Sequence, residues 1–211
     1  MQARLLYVMD PMCSWCWGFA PVAQALIEQA RAGGLPLHLV VGGLRTGSGA
    51  ALEPTTRRYI LEHWQAVKDT TGQSFRFEGA LPNGFVYDTE PACRAVVAAR
   101  SLDPDIAWQL VKEIQQAFYL EGRDVTQASV LTELAEKSGL PKIEFAEAFD
   151  SAEQLAATAS DFSWVQDLGI AGFPTLLAER KGQLALLTNG YQSLDELAPL
   201  LKRWLERAAS A

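Results

Sequence analysis

The sequence predicts an α/β fold with a large all-helical insertion. Three observations carry that expectation. A strand, a helix and a second strand follow one another within the first ~40 residues; two short apolar runs and a helix occupy the C-terminal end; and helical periodicity dominates the stretch between them. Neither end holds a complete sheet, so the two ends are expected to build one sheet together. That assigns residues 1–50 and 170–211 to the α/β unit and residues 51–169 to the insertion.

Residues 4–9 (Arg-Leu-Leu-Tyr-Val-Met) form a continuous apolar run suited to a strand buried on both faces, ended by Asp10-Pro11. In residues 19–32, Val22, Leu26 and Ala30 recur every fourth position with Ala23 and Ile27 alongside, and Gly33-Gly34 stops the helix. Residues 35–41 make the next strand, followed by Gly42-Gly43. So short a strand–helix–strand succession is the pattern of a right-handed unit with parallel strands. In the middle, Ile60, Leu61, Trp64 and Val67 form one helical stripe. Ile106, Leu110, Ile114 and Phe118 form another, begun by Asp103-Pro104. Thr126 is expected to cap a helix carrying Val130, Leu131 and Leu134, which Gly139 ends. Ser151, with Glu153 in the first turn, opens another through Leu155, Ala159, Phe162 and Val165. Residues 175–178 and 184–188 read as an antiparallel hairpin around Glu179-Arg180-Lys181-Gly182. The last helix starts at Ser193 with Glu196 as its capping-box partner, and Leu194, Leu197, Leu201, Trp204 and Leu205 line one face.

Composition narrows the function classes. Apolar residues are 49% and charged residues 20% of the 211, which is globular. A formal charge of −7 repels phosphate backbones, so nucleic acid is not an expected partner. No apolar run approaches the ~18–20 residues of a membrane-spanning helix. The early run Leu5-Leu6-Tyr7-Val8-Met9 is also shorter than the ~7–15 apolar residues of a secretory signal. A soluble, cytoplasmic protein without a membrane partner is the expectation. Three cysteines, an odd and sparse set, argue against a disulfide-stapled secreted scaffold.

Two of those cysteines stand as Cys13-Ser14-Trp15-Cys16, between a strand end and a helix start. A thiol there faces unpaired backbone N–H groups and the positive end of the helix dipole. Both favour the thiolate, which is the nucleophile. Two intervening residues put Cys16 one turn further on the same face, where it can resolve a mixed disulfide. Structural zinc needs a second such pair or suitably spaced histidines; Cys93 is alone, and His38 and His63 are far apart. No metal or other cofactor is therefore expected. Cys93, on an apolar helical segment with Ala92, Val96 and Val97, reads as a buried inert thiol, with a third redox role as the alternative if it packs near Cys16. Trp15 and Trp17 flank Cys16 and offer an apolar platform for a peptide or small thiol, against the alternative of packing on the insertion. Gly42-Gly43-Leu44-Arg45, after the second strand, reads either as a simple turn or as a loop lining the site, where Arg45 would attract an anionic thiol such as glutathione.

The run Asp10-Pro11-Met12-Cys13-Ser14-Trp15-Cys16-Trp17-Gly18-Phe19, with Gly172-Phe173-Pro174-Thr175 far downstream, resembles the DsbA family of thioredoxin-fold oxidoreductases, and within it the FrnE-like branch. The resemblance spans essentially the whole chain. It implies a thioredoxin fold and thiol–disulfide exchange, as oxidoreductase or isomerase, with Cys13 as nucleophile, Cys16 as resolving thiol and Pro174 as a cis-proline opposite them. Substrates would be proteins with exchangeable disulfides or small thiols such as glutathione, bound by Trp15, Trp17, Phe173 and Asp10. A cis-proline turns the preceding backbone outward, so Phe173 would present its N–H and C=O to an extended peptide. Two features depart from the family pattern. Tyr7 stands where many relatives carry a buried acid, with Asp10 either substituting for it or serving as a turn residue; and Phe173 is bulkier than the usual Val or Thr. A rival reading is a glutathione-dependent isomerase or transferase of the kappa-like or chromene-carboxylate branch, which typically carries serine in place of the nucleophile. A third is a peptide-binding holdase.

Overall fold

Strand β1 (Arg4–Met9) lies second in a four-stranded sheet of order β2-β1-β3-β4. It runs parallel to β2 (Leu37–Val41), with Leu5 opposite Leu37 and Met9 opposite Val41. It runs antiparallel to β3 (Thr175–Arg180), which pairs antiparallel with β4 (Gln183–Asn189). The structure, a computed structural model, describes residues 3–47 and 49–209. Helix α1 (Ser14–Ala32) is the crossover between β1 and β2, and α8 (Leu194–Ala209) packs beside it. Between β2 and β3 come α2 (Pro54–Thr71), α3 (Glu90–Leu102), α4 (Pro104–Gln116), α5 (Ala128–Lys137), α6 (Lys142–Asp150) and α7 (Ala152–Asp167), with a π-helical turn at Ala117–Glu121 after α4. This is the α/β arrangement with an inserted helical block that the sequence predicts. Among the described residues, no helix is long and apolar enough to cross a membrane.

The apolar run of β1 is buried on both faces. Leu5, Tyr7 and Met9 join the main core together with both cysteines of the pair, while Leu6 and Val8 meet Val40, Val165 and Leu177 on the other face. The inserted helices share the main core with the sheet: Trp64, Cys93, Trp108 and Tyr119 all belong to it. One ion pair ties them down. Arg100 of α3 reaches Asp161 of α7 at 2.8 Å and also donates to the Leu39 carbonyl, while Asp161 accepts the Val41 N–H at 3.0 Å. Both side chains are about 15% exposed, so each satisfies a charge that would otherwise be buried alone.

Several boundaries differ from the sequence reading. Helix α1 begins at Ser14, five residues earlier than the periodicity places it, because Cys13 takes the extended N-cap conformation and its carbonyl accepts the Trp17 N–H at 3.1 Å. Pro21 thus falls inside the helix and cannot bond back to Trp17. The Gln73 side chain supplies that carbonyl with a donor at 3.0 Å instead. Strand β2 starts after Pro36 rather than at Leu35. Thr126 does not cap α5: its hydroxyl donates to Asp124 at 2.6 Å, and Gln127 is the N-cap. Leu155 and Leu194 lie at the exposed edges of their stripes, at 45% and 36% exposure. Helix α6 carries too short an apolar pattern to stand out in sequence. Asp103 and Ser151 cap α4 and α7 as expected, and Glu196 accepts from both the backbone and the hydroxyl of Ser193. The β3–β4 hairpin turns on Lys181 and Gly182, both at positive φ.

Candidate active site

The two cysteines of the pair occupy different environments because α1 starts between them. Cys13, at the N-cap, borders a cleft of about 310 Å³ and is 5% exposed. Cys16, in the first turn, points into the core and is fully buried. All three cysteines are free thiols. Burial pushes the Cys16 thiol well above its ordinary range, and the neighbouring Cys13, both as hydrogen-bond partner and as charge, pushes it the same way. One cysteine thus borders the cleft and the other is held protonated behind it.

Opposite Cys13, the Phe173–Pro174 bond preceding β3 is cis. The Cys13 thiol donates to the Phe173 carbonyl at a sulfur–oxygen distance of 3.8 Å. Pro174 itself is buried, and its carbonyl accepts the Gly190 N–H at 2.7 Å. The Phe173 ring seats against Gly42, where an added Cβ would stand only 2.0 Å from Cζ. Glycine at 42 is therefore needed for this approach of ring to backbone.

Asp10, expected from sequence at the substrate site or in the turn, is fully buried and does not line the cleft. Its carboxylate accepts the N–H of Met12 at 2.8 Å and of Leu44 at 2.7 Å, and the Cys93 thiol donates to it at 3.4 Å. It ties the turn bearing Cys13 to the loop after β2 and to α3. Burial raises its pKa, while hydrogen bonds from Thr89, Leu44, Met12 and Cys93 pull it back down. Cys93 is fully buried, and burial, reinforced by the Asp10 charge, pushes its thiol well up. Tyr7 lies behind Cys16; burial first, then the charges of Cys16 and Cys13, raises its phenol well above the ordinary range, so it is no substitute for an acid.

The two tryptophans part company. Trp15 stays at the rim of the cleft, where its indole N–H donates to His63 Nε2 at 2.9 Å and its ring leans on Tyr191. Trp17 turns away: it is stacked on Tyr119 at 5.8 Å and donates to the Ser74 carbonyl at 2.8 Å. The expectation that Trp17 forms part of a substrate platform is thus replaced by packing on the insertion. His63 and Tyr59, stacked on one another along α2, also line the cleft. Sequence reasoning left both aside. The available signal was an aromatic pair at i, i+4 on the polar side of an amphipathic helix, which does not say what that side faces. Arg45 completes the wall, its guanidinium 5.4 Å from the centre of the Tyr87 ring.

Comparison with known proteins bears on this geometry. A sequence model of the DSBA-like thioredoxin domain matches residues 4–202. A candidate protein disulfide isomerase from Nitrosomonas europaea superposes with a TM-score of 0.89 at 41% identity, over 98% of this chain and 99% of that one. Cytosolic disulfide reductase DsbM from Pseudomonas aeruginosa superposes with a TM-score of 0.80 at 34% identity, over 96% and 98% of the two chains. Its structure with GSH matches with a TM-score of 0.76 at 30% identity, over 99% and 100%. The ClpXP adapter protein SpxH of Bacillus subtilis (strain 168) is 25% identical over 174 residues, 80% of this chain and 55% of that protein. The chain spans about half the length of the curated relatives it matches.

Proposed function

This chain belongs to the DSBA-like thioredoxin domain family, and from that premise we propose that it is a thiol–disulfide oxidoreductase working through Cys13 and Cys16. The observation that carries the reading is the asymmetry of the pair: the Cys13 sulfur borders the cleft, 3.8 Å from the Phe173 carbonyl, and Cys16 is buried behind it. The Cys13 thiolate attacks one sulfur of a substrate disulfide. That S–S bond breaks, the departing thiolate takes up a proton, and a Cys13–substrate disulfide forms. Cys16 then gives up its proton and attacks Cys13 Sγ, which releases the second substrate thiol and leaves a Cys13–Cys16 disulfide. Two thiols from a reductant such as glutathione return the pair to the dithiol. The same steps in reverse oxidise a substrate dithiol, and repeated attack by Cys13 alone isomerises disulfides.

The substrates in this reading are proteins with exchangeable disulfides and small thiols of the glutathione kind, and the location is the cytosol; the likeness to cytosolic DsbM and its GSH-bound structure supports both. The cleft wall offered by Trp15 and Phe173 suits an extended chain or a small thiol. Residues 51–169 act as the insertion that brings Tyr59 and His63 over Cys13. Cysteine at both positions 13 and 16 speaks against the glutathione-dependent isomerase reading. The test is insulin reduction by dithiothreitol. The protein accelerates it and Cys13→Ser abolishes the acceleration; equal rates for the two proteins end the oxidoreductase reading.

A further inference from the structure

Arginine side chains in this protein are mostly engaged. Arg4, Arg31, Arg94, Arg100 and Arg123 each pair with a carboxylate, and Arg57 spends its guanidinium on the carbonyls of Ala80 and Leu81. Arg58 and Arg45 are different: among the described residues neither guanidinium meets a carboxylate, in a chain with 25 acidic residues against 18 basic ones, and of the two it is Arg45 that lines the cleft bordered by Cys13. It is nevertheless firmly placed. Its backbone N–H donates to Thr89 Oγ1 at 3.2 Å, and its carbonyl accepts the Thr89 N–H at 2.8 Å. Its guanidinium lies over Tyr87, whose hydroxyl donates at 2.5 Å to the carbonyl of Met12, the residue before Cys13. Arg45, its guanidinium unpaired and held over Tyr87, thus lines the same cleft as Cys13. The cleft's volume of about 310 Å³ sits at the bottom of the ~300–1,000 Å³ range of small-ligand sites. The remaining walls are largely apolar or aromatic: Trp15, Leu44, Tyr59 and Phe173.

We propose that Arg45 is the specificity-determining residue of this cleft, holding a carboxylate of a small thiol or disulfide of the glutathione class so that its sulfur meets Cys13. This rests on the oxidoreductase reading and adds to it a preference by charge. A guanidinium binds a carboxylate through charge-assisted hydrogen bonds, and an aromatic ring beneath it keeps it from collapsing onto the protein's own acids. A neutral disulfide of similar reach forgoes that contact.

The test compares the reduced protein's rates of oxidation by glutathione disulfide and by bis(2-hydroxyethyl) disulfide, followed by acid quench and mass analysis. The readout is the ratio of the two second-order rate constants, which a general loss of folding or of Cys13 reactivity does not move. Arg45→Met is expected to lower the ratio about ten-fold, the value of one charge-assisted contact partly screened by water. Arg45→Lys is expected to restore part of it. A ratio unchanged in Arg45→Met overturns the assignment while leaving the oxidoreductase reading in place. A wild-type protein inert to both disulfides overturns both.

Discussion

Replacing Gly42 by alanine tests how the sheet end and the cis peptide bond jointly place the site. The new Cβ would stand 2.0 Å from Phe173 Cζ and 2.2 Å from Cε1, whereas unstrained carbon contacts lie at about 3.5–4.0 Å. Gly42 is not in the left-handed region, so alanine suits the backbone and the effect falls on the ring alone. The ring must retreat by roughly 1.5 Å to restore contact distance. Phe173 also supplies the carbonyl that accepts from Cys13, so the retreat disturbs the peptide facing the nucleophile. Overpacking of this kind costs about 1–3 kcal/mol, readable as a lower urea midpoint at unchanged m-value. Exchange with glutathione disulfide is expected to slow in the same variant. Phe173→Leu frees the space, so the double variant should recover about 1 kcal/mol relative to the sum of the singles. If Gly42→Ala matches wild type in both stability and exchange rate, the ring does not hold the peptide in place and the reasoning is wrong.

Asp10→Ala strands the buried N–H of Met12 and removes the acceptor of the partly buried Leu44 N–H, and is expected to cost about 1–3 kcal/mol in urea denaturation; a loss below ~0.5 kcal/mol, the range of an ordinary surface substitution, contradicts the tying role given to the carboxylate. His38 is held at about 4, by burial first and then by Arg100 and Arg4. The unfolded chain therefore takes up this proton near 6.5 and the folded chain only near 4, so stability falls as pH is lowered across that window and levels off below it. After screening of the partly exposed ring the loss is about 1–2 kcal/mol, and His38→Gln should flatten the slope; an identical slope in the variant refutes the attribution. Because Cys16 is held protonated by burial, the release of glutathione from a Cys13 adduct should quicken steadily as pH rises through the neutral range; a pH-independent rate contradicts a Cys16 attack.

The ends of the chain were the most legible in sequence, for a physical reason. A strand buried on both faces must be continuously apolar, and residues 4–9 are; a hairpin needs turn residues, and Lys181-Gly182 supplies them. The Cys-x-x-Cys pair at a strand–helix junction was legible too, since its chemistry is local. What the sequence hid depends on distant partners. Helix α1 runs through Pro21 because Gln73, more than fifty residues away, satisfies the freed carbonyl. Trp17 and Trp15 are two residues apart, hence on different sides of one helix, and only the docking of α2 and the turn at Ala117–Glu121 decides that one packs inward and the other lines the cleft. Asp10 looked like a residue available to substrate because nothing in its neighbourhood shows that Leu44 and Cys93 close over it.

The division of labour within the cysteine pair can be read directly by mass. Cys16→Ser protein, reduced and then mixed with glutathione disulfide, should accumulate one glutathione, mapped by peptide analysis to Cys13, while the wild type passes to an internal Cys13–Cys16 disulfide. An adduct found on Cys93, no adduct at all, or a wild type that retains its glutathione as long as the variant does would contradict the assignment of a cleft-lining attacking sulfur backed by a fully buried resolving one.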